Sequence, residues 1–289
     1  MNGTHFGLIE AGGTKFVLGL ADADGVILDR HRIPTLDAGE TIATALDWFR
    51  SHDVPYAGFG IASFGPLDID KASPNWGSIT RTPKPGWSGA NLVQPFADAF
   101  GCPVAIDTDV NGAALAEARW GAGQGKRLCL YLTIGTGVGG GAVVDGRILH
   151  GLSHPEMGHM RLPRHPDDAG FAGTCPFHGA CLEGLASGPA ILARWGKSLS
   201  ECQPGGDEQQ MIAWYLAQAV CNFQAILEPD CIIFGGGVMA TPGLLGLVQS
   251  EADNLGAGYF VGKASAIVMG PGLGEDAGLM GAFALAVSA

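Results

Sequence analysis

Apolar residues recur in short runs from the start of the chain. His5 to Glu10, Phe16 to Ala21 and Val26 to Ile33 read as strands separated by Gly-Gly and Asp-Gly turns, a β-meander. In Glu40 to Arg50 the period becomes helical, with Ile42, Ala45, Leu46 and Phe49 on one face. Tyr56 to Ala62 then reads as a buried strand, Asn91 to Phe100 as a helix, Val104 to Asp107 as a strand and Val110 to Trp120 as a helix. Between the first two of these, Ser63 to Ser88 is rich in Pro, Gly and Trp and too long for a mere connector. Leu128 to Ile134 and Gly140 to Val144 repeat the opening strand–turn–strand pattern around Gly135-Thr136-Gly137. Two such beginnings predict duplicated α/β halves facing each other across a cleft, joined near Asn111 to Gly125. His150 to Cys181 is a polar insertion with little periodicity, and the remainder alternates helix and strand.

The 289 residues suit two α/β domains or one large one. No apolar stretch reaches the roughly 18 unbroken residues of a membrane span, and Met1 to Gly13 lacks the form of a secretory signal. A soluble cytoplasmic protein with no membrane partner is expected. A formal charge of −12, with only 16 Lys and Arg, opposes a nucleic-acid surface. An anionic substrate must therefore be held locally, by backbone N–H groups, a metal ion and a few basic residues. Seven cysteines do not suit a paired disulfide framework. Cys102, Cys129, Cys202, Cys221 and Cys231 stand in apolar or helical contexts and read as small core residues.

The 47 glycines gather at the ends of the expected strands. Glu10-Ala11-Gly12-Gly13-Thr14-Lys15 lies where a hairpin turns, its glycines permitting positive φ and leaving amides open to phosphate oxygens. Thr133 to Gly141 repeats that chemistry, with five glycines in the seven positions from Gly135, and Ile232 to Val238 ends an apolar strand on Gly235-Gly236-Gly237. Any one of these is equally an ordinary tight turn; three together are hard to assign to turns alone. Neither the GxxxxGK[ST] loop nor a strand–GxGxxG–helix unit is matched. Asp107-Thr108-Asp109-Val110-Asn111 ends a strand and opens a helix. There Asp109 either caps the helix or presents a carboxylate to a reacting hydroxyl. Cys175, His178 and Cys181 fall at successive intervals of three, which reads either as part of a zinc set or as a polar loop with incidental thiols.

With these motifs the chain resembles, over essentially its whole length, the ROK family of sugar kinases and sugar-responsive repressors in the actin-like ATPase superfamily. The resemblance implies an α/β fold of two ribonuclease H-like domains facing across a cleft. Residues 1–113, joined by the C-terminal helix 273–289, would form one domain and residues 114–272 the other. Gly12, Gly13, Thr14 and Lys15 resemble the first phosphate loop, Gly135 to Gly140 with Thr136, Gly137 and Gly139 the second, and Gly235, Gly236 and Gly237 the adenosine-side turn. Many members carry Asp at the position of Glu10, in the magnesium–phosphate region. Asp109 matches the family's general base, with Asn111 in the same motif. Thr108 stands where glucokinase-like members carry Asn, while Ser63 to Pro66 and Ile79 to Trp87 resemble the fructokinase branch. Trp87 is read there as a loop anchor rather than a sugar contact.

The resemblance also supplies a fourth zinc ligand, His159 of Glu156-Met157-Gly158-His159, to join Cys175, His178 and Cys181. Four protein ligands make the zinc structural, fixing Glu156, His159 and Glu183 around a sugar that Gly65, Pro66 and Asp109 also contact. His154 is read as a loop residue. ATP, Mg2+ and structural Zn2+ are the implied cofactors, a hexose the substrate and a homodimer the assembly. Fructose is favoured, with mannose, glucose or an N-acetylhexosamine as alternatives. A repressor is disfavoured, since those proteins place a DNA-binding region before a first strand that here begins at His5, and this chain is acidic.

Overall fold

A computed structural model describes residues 4–82 and 84–289. Pro83 of the Ile79 to Trp87 segment, and the first three residues of the Met1 to Gly13 segment, lie outside the described residues. The chain divides into two compact units.

The first unit comprises the chain up to Trp120 together with Ile148–His154 and Leu273–Ala289. Strands β1 (His5–Ala11), β2 (Lys15–Asp22), β3 (Ile27–Pro34), β4 (Tyr56–Ser63) and β5 (Val104–Thr108) form one sheet in the order β3-β2-β1-β4-β5. β1 runs antiparallel to β2, with Ile9 opposite Leu18, and parallel to β4, with Ile9 opposite Ile61. The hairpins thus supply the antiparallel half, and crossovers through helices supply the parallel half. β3 is the mostly exposed edge, and its Asp29-Arg30-His31-Arg32 run keeps that edge from pairing with another chain.

Helix α1 (Ala38–Arg50) starts where the Asp37 side chain accepts the Glu40 N–H, and buries Ala38, Thr41, Ala45 and Phe49. Ile42 and Leu46 of the expected face are partly buried against the same core. Phe49 packs on Phe59 of β4 with ring centroids 4.9 Å apart, and helix α2 (Gln94–Phe100) adds Phe96 and Phe100 to the cluster. Trp87 is fully buried, its Nε1–H donating to the Leu36 carbonyl at 2.9 Å. That indole anchors the long loop, as the sequence suggested.

Helices α3 (Asp109–Trp120) and α9 (Ala277–Ala286) meet backbone to backbone. A Cβ on Gly281 would stand 2.7 Å from the carbonyl carbon of Gly112. α3 packs as a whole on α9, so the division of the chain falls at Trp120. A boundary after residue 113 would cut through that helix, and the sequence also gave no sign that Ile148–His154 belongs with this unit.

The second unit repeats the topology. Strands β6 (Leu128–Ile134), β7 (Val138–Val144), β8 (Arg147–Ile148), β9 (Cys231–Gly235) and β10 (Val268–Met269) lie in the order β10-β9-β6-β7-β8, with β6 in the place of β1. Its helices are α4 (Leu182–Ala186), α5 (Gly188–Trp195), α6 (Asp207–Leu227), α7 (Leu244–Gly256) and α8 (Ala264–Ile267). β9 is buried at every position, as a parallel strand covered on both faces should be.

The polar insertion gains order from one buried ion pair. Arg194 Nε and Nη2 reach the two Asp168 oxygens at 2.9 and 3.0 Å, and Tyr215 donates to Asp168 at 2.7 Å. The Arg194 guanidinium also lies 4.0 Å from the ring centroid of Phe171. All seven cysteines are free thiols; Cys102 and Cys221 are half-buried rather than fully in the core. No helix among the described residues is long and apolar enough to cross a membrane.

Candidate active site

In the first unit the β1–β2 turn carries Gly12, Gly13 and Thr14, with Lys15 exposed at the start of β2. Gly12 N–H donates to the Lys15 carbonyl at 2.9 Å, closing the turn. Thr35 holds it from one side, donating its N–H to the Thr14 carbonyl at 3.0 Å and its hydroxyl to the Gly12 carbonyl at 2.8 Å. Lys84 Nζ donates to the Gly13 carbonyl at 2.6 Å and brings a second ammonium to the turn. Sequence reasoning assigned Lys84 no role, because nothing local signals a contact across 71 residues.

The expectation that these glycines supply positive φ is corrected. Gly12, Gly13, Gly135 and Gly137 keep ordinary φ, and among the three turns Gly236 alone is left-handed, at φ 90°. The others serve by lacking a side chain: the space beside Gly13 is empty to 4 Å, which leaves the backbone open to a ligand.

Gly65 and Pro66 follow β4, and Phe64 N–H donates to the Ala11 carbonyl at 2.8 Å, which places this loop beside the first glycine turn. The Gly65–Pro66 peptide is cis. His154 Nε2 accepts the Leu67 N–H at 3.1 Å, so this residue supports the Gly65–Leu67 loop from the Ile148–His154 segment. Glu10, at the end of β1, has its carboxyl pushed above the usual range by burial, with Lys15, Arg32 and Arg30 pulling it back.

Asp109 is the first residue of α3, at the carboxyl end of β5, and is half-buried. The capping alternative falls to its neighbour: Thr108 Oγ1 accepts the Asn111 N–H at 3.2 Å, while Asp109 accepts the adjoining Val110 N–H at 2.9 Å. Asp107, buried behind them, accepts from Asn111 Nδ2 at 2.7 Å and lies 2.8 Å from His150 Nε2. Sequence reasoning also passed over His150.

In the second unit the β6–β7 turn holds Thr136 and Gly137, closed by Gly135 N–H on the Gly137 carbonyl at 2.9 Å, and Gly139 follows in β7. Gly235, Gly236 and Gly237 end β9 beside it, since Val238 N–H donates to the Ile134 carbonyl at 3.0 Å. The two turns share a largely apolar pocket of about 590 Å³ whose walls include Gly188, Ile191, Leu199 and Val238. Its size and lining suit a nucleoside.

His159, Cys175, His178 and Cys181 come together with all four ligand atoms within 4.8 Å of one another. His159 Nδ1 lies 3.5 Å from Cys181 Sγ and 3.8 Å from Cys175 Sγ, and Cys175 Sγ lies 3.8 Å from His178 Nδ1. A tetrahedron with Zn–S near 2.3 Å and Zn–N near 2.0 Å has edges of about 3.3–3.8 Å, with sulfur–nitrogen edges near 3.5 Å, so the donor set and these three spacings fit zinc. Burial pushes the Cys181 thiol up, with Cys175 adding to the effect; a cation would reverse that balance. On the far side of its ring, His159 Nε2 lies 4.0 Å from Glu156, which places a carboxylate behind the ligand. Glu183 Oε2 accepts the Val138 N–H at 3.1 Å, so this side chain lies against the glycine turn.

Duplicated sheets of one topology, each with a glycine turn on its first hairpin, define a protein of the actin-like ATPase fold. The chain belongs to the ROK family, which matches it over residues 6–289. It is 51% identical to a fructokinase of Zymomonas mobilis over 98% of this chain and 97% of that one. The solved ROK hexokinase of Thermus thermophilus superposes with a TM-score of 0.79 at 27% identity, covering 99% of this chain and 98% of the other. A ROK family glucokinase of Streptomyces griseus, solved in complex with glucose and AMPPNP, gives a TM-score of 0.74 at 25% identity, covering 99% and 100%.

Proposed function

We infer that this chain is an ATP-dependent fructokinase, transferring the γ-phosphate of ATP to the 6-hydroxyl of D-fructose. The observation that carries the reading is the 51% identity to a fructokinase along nearly the whole of both chains.

Phosphoryl transfer asks a protein for a carboxylate near the attacking hydroxyl and otherwise for positioning and charge neutralisation. Asp109 takes the hydroxyl proton. Thr108 caps α3, so the Asp109 carboxylate is not needed to satisfy the helix end. Gly12, Gly13, Thr14, Lys15, Thr136, Gly137 and Gly139 are the phosphate-binding residues for MgATP. Lys84 adds charge at the first turn, which matters in a chain of net charge −12. Gly235, Gly236, Gly237 and the adjoining pocket hold the adenosine. Gly65, Pro66, Glu156, His159 and Glu183 hold the sugar, with His154 steadying the Gly65–Leu67 loop. His159, Cys175, His178 and Cys181 hold a structural zinc, which supplies rigidity rather than hydroxide because four protein ligands leave no open position. A cytoplasmic homodimer is the form the family resemblance supports.

The test is a panel of hexoses with ATP and magnesium, following ADP release and identifying the phosphorylated product. Fructose should give the highest kcat/KM, with phosphate on its C6 oxygen. A kcat/KM about tenfold higher for glucose or N-acetylmannosamine would overturn the substrate and leave the kinase.

A further inference from the structure

Glu183 joins the Cys/His cluster to the second glycine turn. It lies in the first turn of α4, two residues beyond Cys181, and its Oε2 accepts the Val138 N–H at 3.1 Å. The same oxygen stands 2.8 Å from where a Cβ on Gly137 would be, so the carboxylate lies against the turn in space that only glycine leaves open. Its other oxygen makes no hydrogen bond among the described residues.

A second brace runs beside the first. Gly188 N–H, at the start of α5, donates to the Gly135 carbonyl at 2.8 Å, and Ser187 N–H donates to the Glu183 carbonyl at 3.1 Å. The α4–α5 junction therefore grips the turn at both ends, through Gly135 and Val138. α4 is in turn packed on the metal-binding loop: Thr174 N–H donates to the Gly184 carbonyl at 3.0 Å, and a Cβ on Gly184 would stand 1.8 Å from the Gly179 oxygen. From Cys175 and Cys181 to Gly137 the path is continuous, packed and hydrogen-bonded.

We propose that Glu183 is a positioning residue for the ATP-binding turn, holding Gly135–Val138 in the shape that receives the phosphates, and that the Cys/His cluster fixes Glu183 for that task. The proposal rests on the reading of this turn as a phosphate loop. The brace needs an oxygen acceptor, not a charge, so glutamine preserves it and alanine removes it.

The experiment is calorimetric titration of the zinc-loaded protein with ADP in the absence of sugar, together with steady-state kinetics. Glu183→Ala should weaken ADP binding about tenfold, the effect of one lost hydrogen bond on an ordered loop. Glu183→Gln should stay within about twofold of the parent for ADP, even where its KM for fructose rises. Glu183→Ser, too short to reach the Val138 amide, should reproduce the alanine result and keeps the test open if Glu183→Ala does not fold. Faster hydrogen exchange at the Val138 amide in Glu183→Ala would support the brace directly. Unchanged ADP affinity in Glu183→Ala or Glu183→Ser overturns the proposal, and unchanged affinity in Cys181→Ser overturns the part assigned to the cluster. Failure of the parent protein to bind ADP would instead sink the phosphate-loop reading itself.

Discussion

His150 closes on Asp107 from 43 residues away, its Nε2 lying 2.8 Å from Oδ2. The other Asp107 oxygen accepts from Asn111 Nδ2 at 2.7 Å and from the Thr108 N–H at 2.8 Å. These bonds pin the β5–α3 corner from both sides, and Asp109 is carried on that corner. A sheet end that would otherwise be a loop junction becomes a fixed platform for a carboxylate.

A pH dependence follows. The hydrogen bond to Asp107 raises the His150 pKa, with burial opposing, so the fold favours the protonated ring. Its stabilisation is fully present below about pH 6.5, the ordinary value, and is lost as pH rises through the higher folded pKa. With the side chain 38% exposed, solvent limits the gain to about 1 kcal/mol. His150→Gln should therefore lower Tm by about 2–4 °C in mild acid, and the gap from the parent should shrink in alkali. A gap independent of pH would refute the charge argument.

Asp109→Asn changes proton-accepting ability at almost constant volume, and Thr108 continues to cap α3. The variant should fold normally, keep its fructose affinity, and lose about 10²–10⁴-fold in kcat. Near-parental kcat would remove Asp109 from the role of base.

Metal analysis of the purified protein should return about one zinc per chain, as a single four-ligand site requires. Cys175→Ser should release it and expose the segment between Glu156 and Cys181 to proteases. Each unit keeps its own five-stranded sheet, so the main unfolding transition should persist. Absence of zinc, or a Cys175→Ser protein that still holds it, would refute the assignment.

The buried Asp168–Arg194 pair fastens the insertion outside the Cys/His cluster, its side chains only 3% and 7% exposed. Asp168→Asn leaves a buried guanidinium without its counter-charge and weakens the Tyr215 contact. Such a loss costs about 3–5 kcal/mol. Urea unfolding should show it; a change below about 1 kcal/mol would mean the cation finds water or another acceptor.

What the sequence revealed follows from how locally each feature is encoded. Strand and helix periods are local, so β1, β2, α1 and β6 fall within a few residues of expectation. The Cys175, His178, Cys181 spacing is local as well, and the family motif supplied His159. Neither His150 on Asp107 nor Lys84 on Gly13 has a local signature: each is a single polar side chain reaching across the fold to a partner set by tertiary packing. The glycine turns were located but misread in mechanism, because a glycine needed for open space and one needed for positive φ look alike in a sequence.

Glu10 supplies the last prediction. Its carboxylate oxygens stand 2.4 and 2.6 Å from where a Cβ on Gly278 would be, in the first turn of α9. A helical glycine ordinarily costs about 1 kcal/mol relative to alanine, so Gly278→Ala at an open site would stabilise the protein. Here the new methyl group would displace a half-buried carboxyl group that has Lys15, Arg32 and Arg30 about it. The expected outcome is a loss of about 1–3 kcal/mol, as for other overpacked sites. Aspartate is one methylene shorter and withdraws the carboxylate from α9. In a Glu10→Asp background, Gly278→Ala should therefore be neutral or stabilising, giving a coupling energy of about 1–3 kcal/mol across the four proteins. Denaturant unfolding of the full cycle measures it, and strict additivity of the two substitutions would show that the glycine serves some purpose other than making room for Glu10.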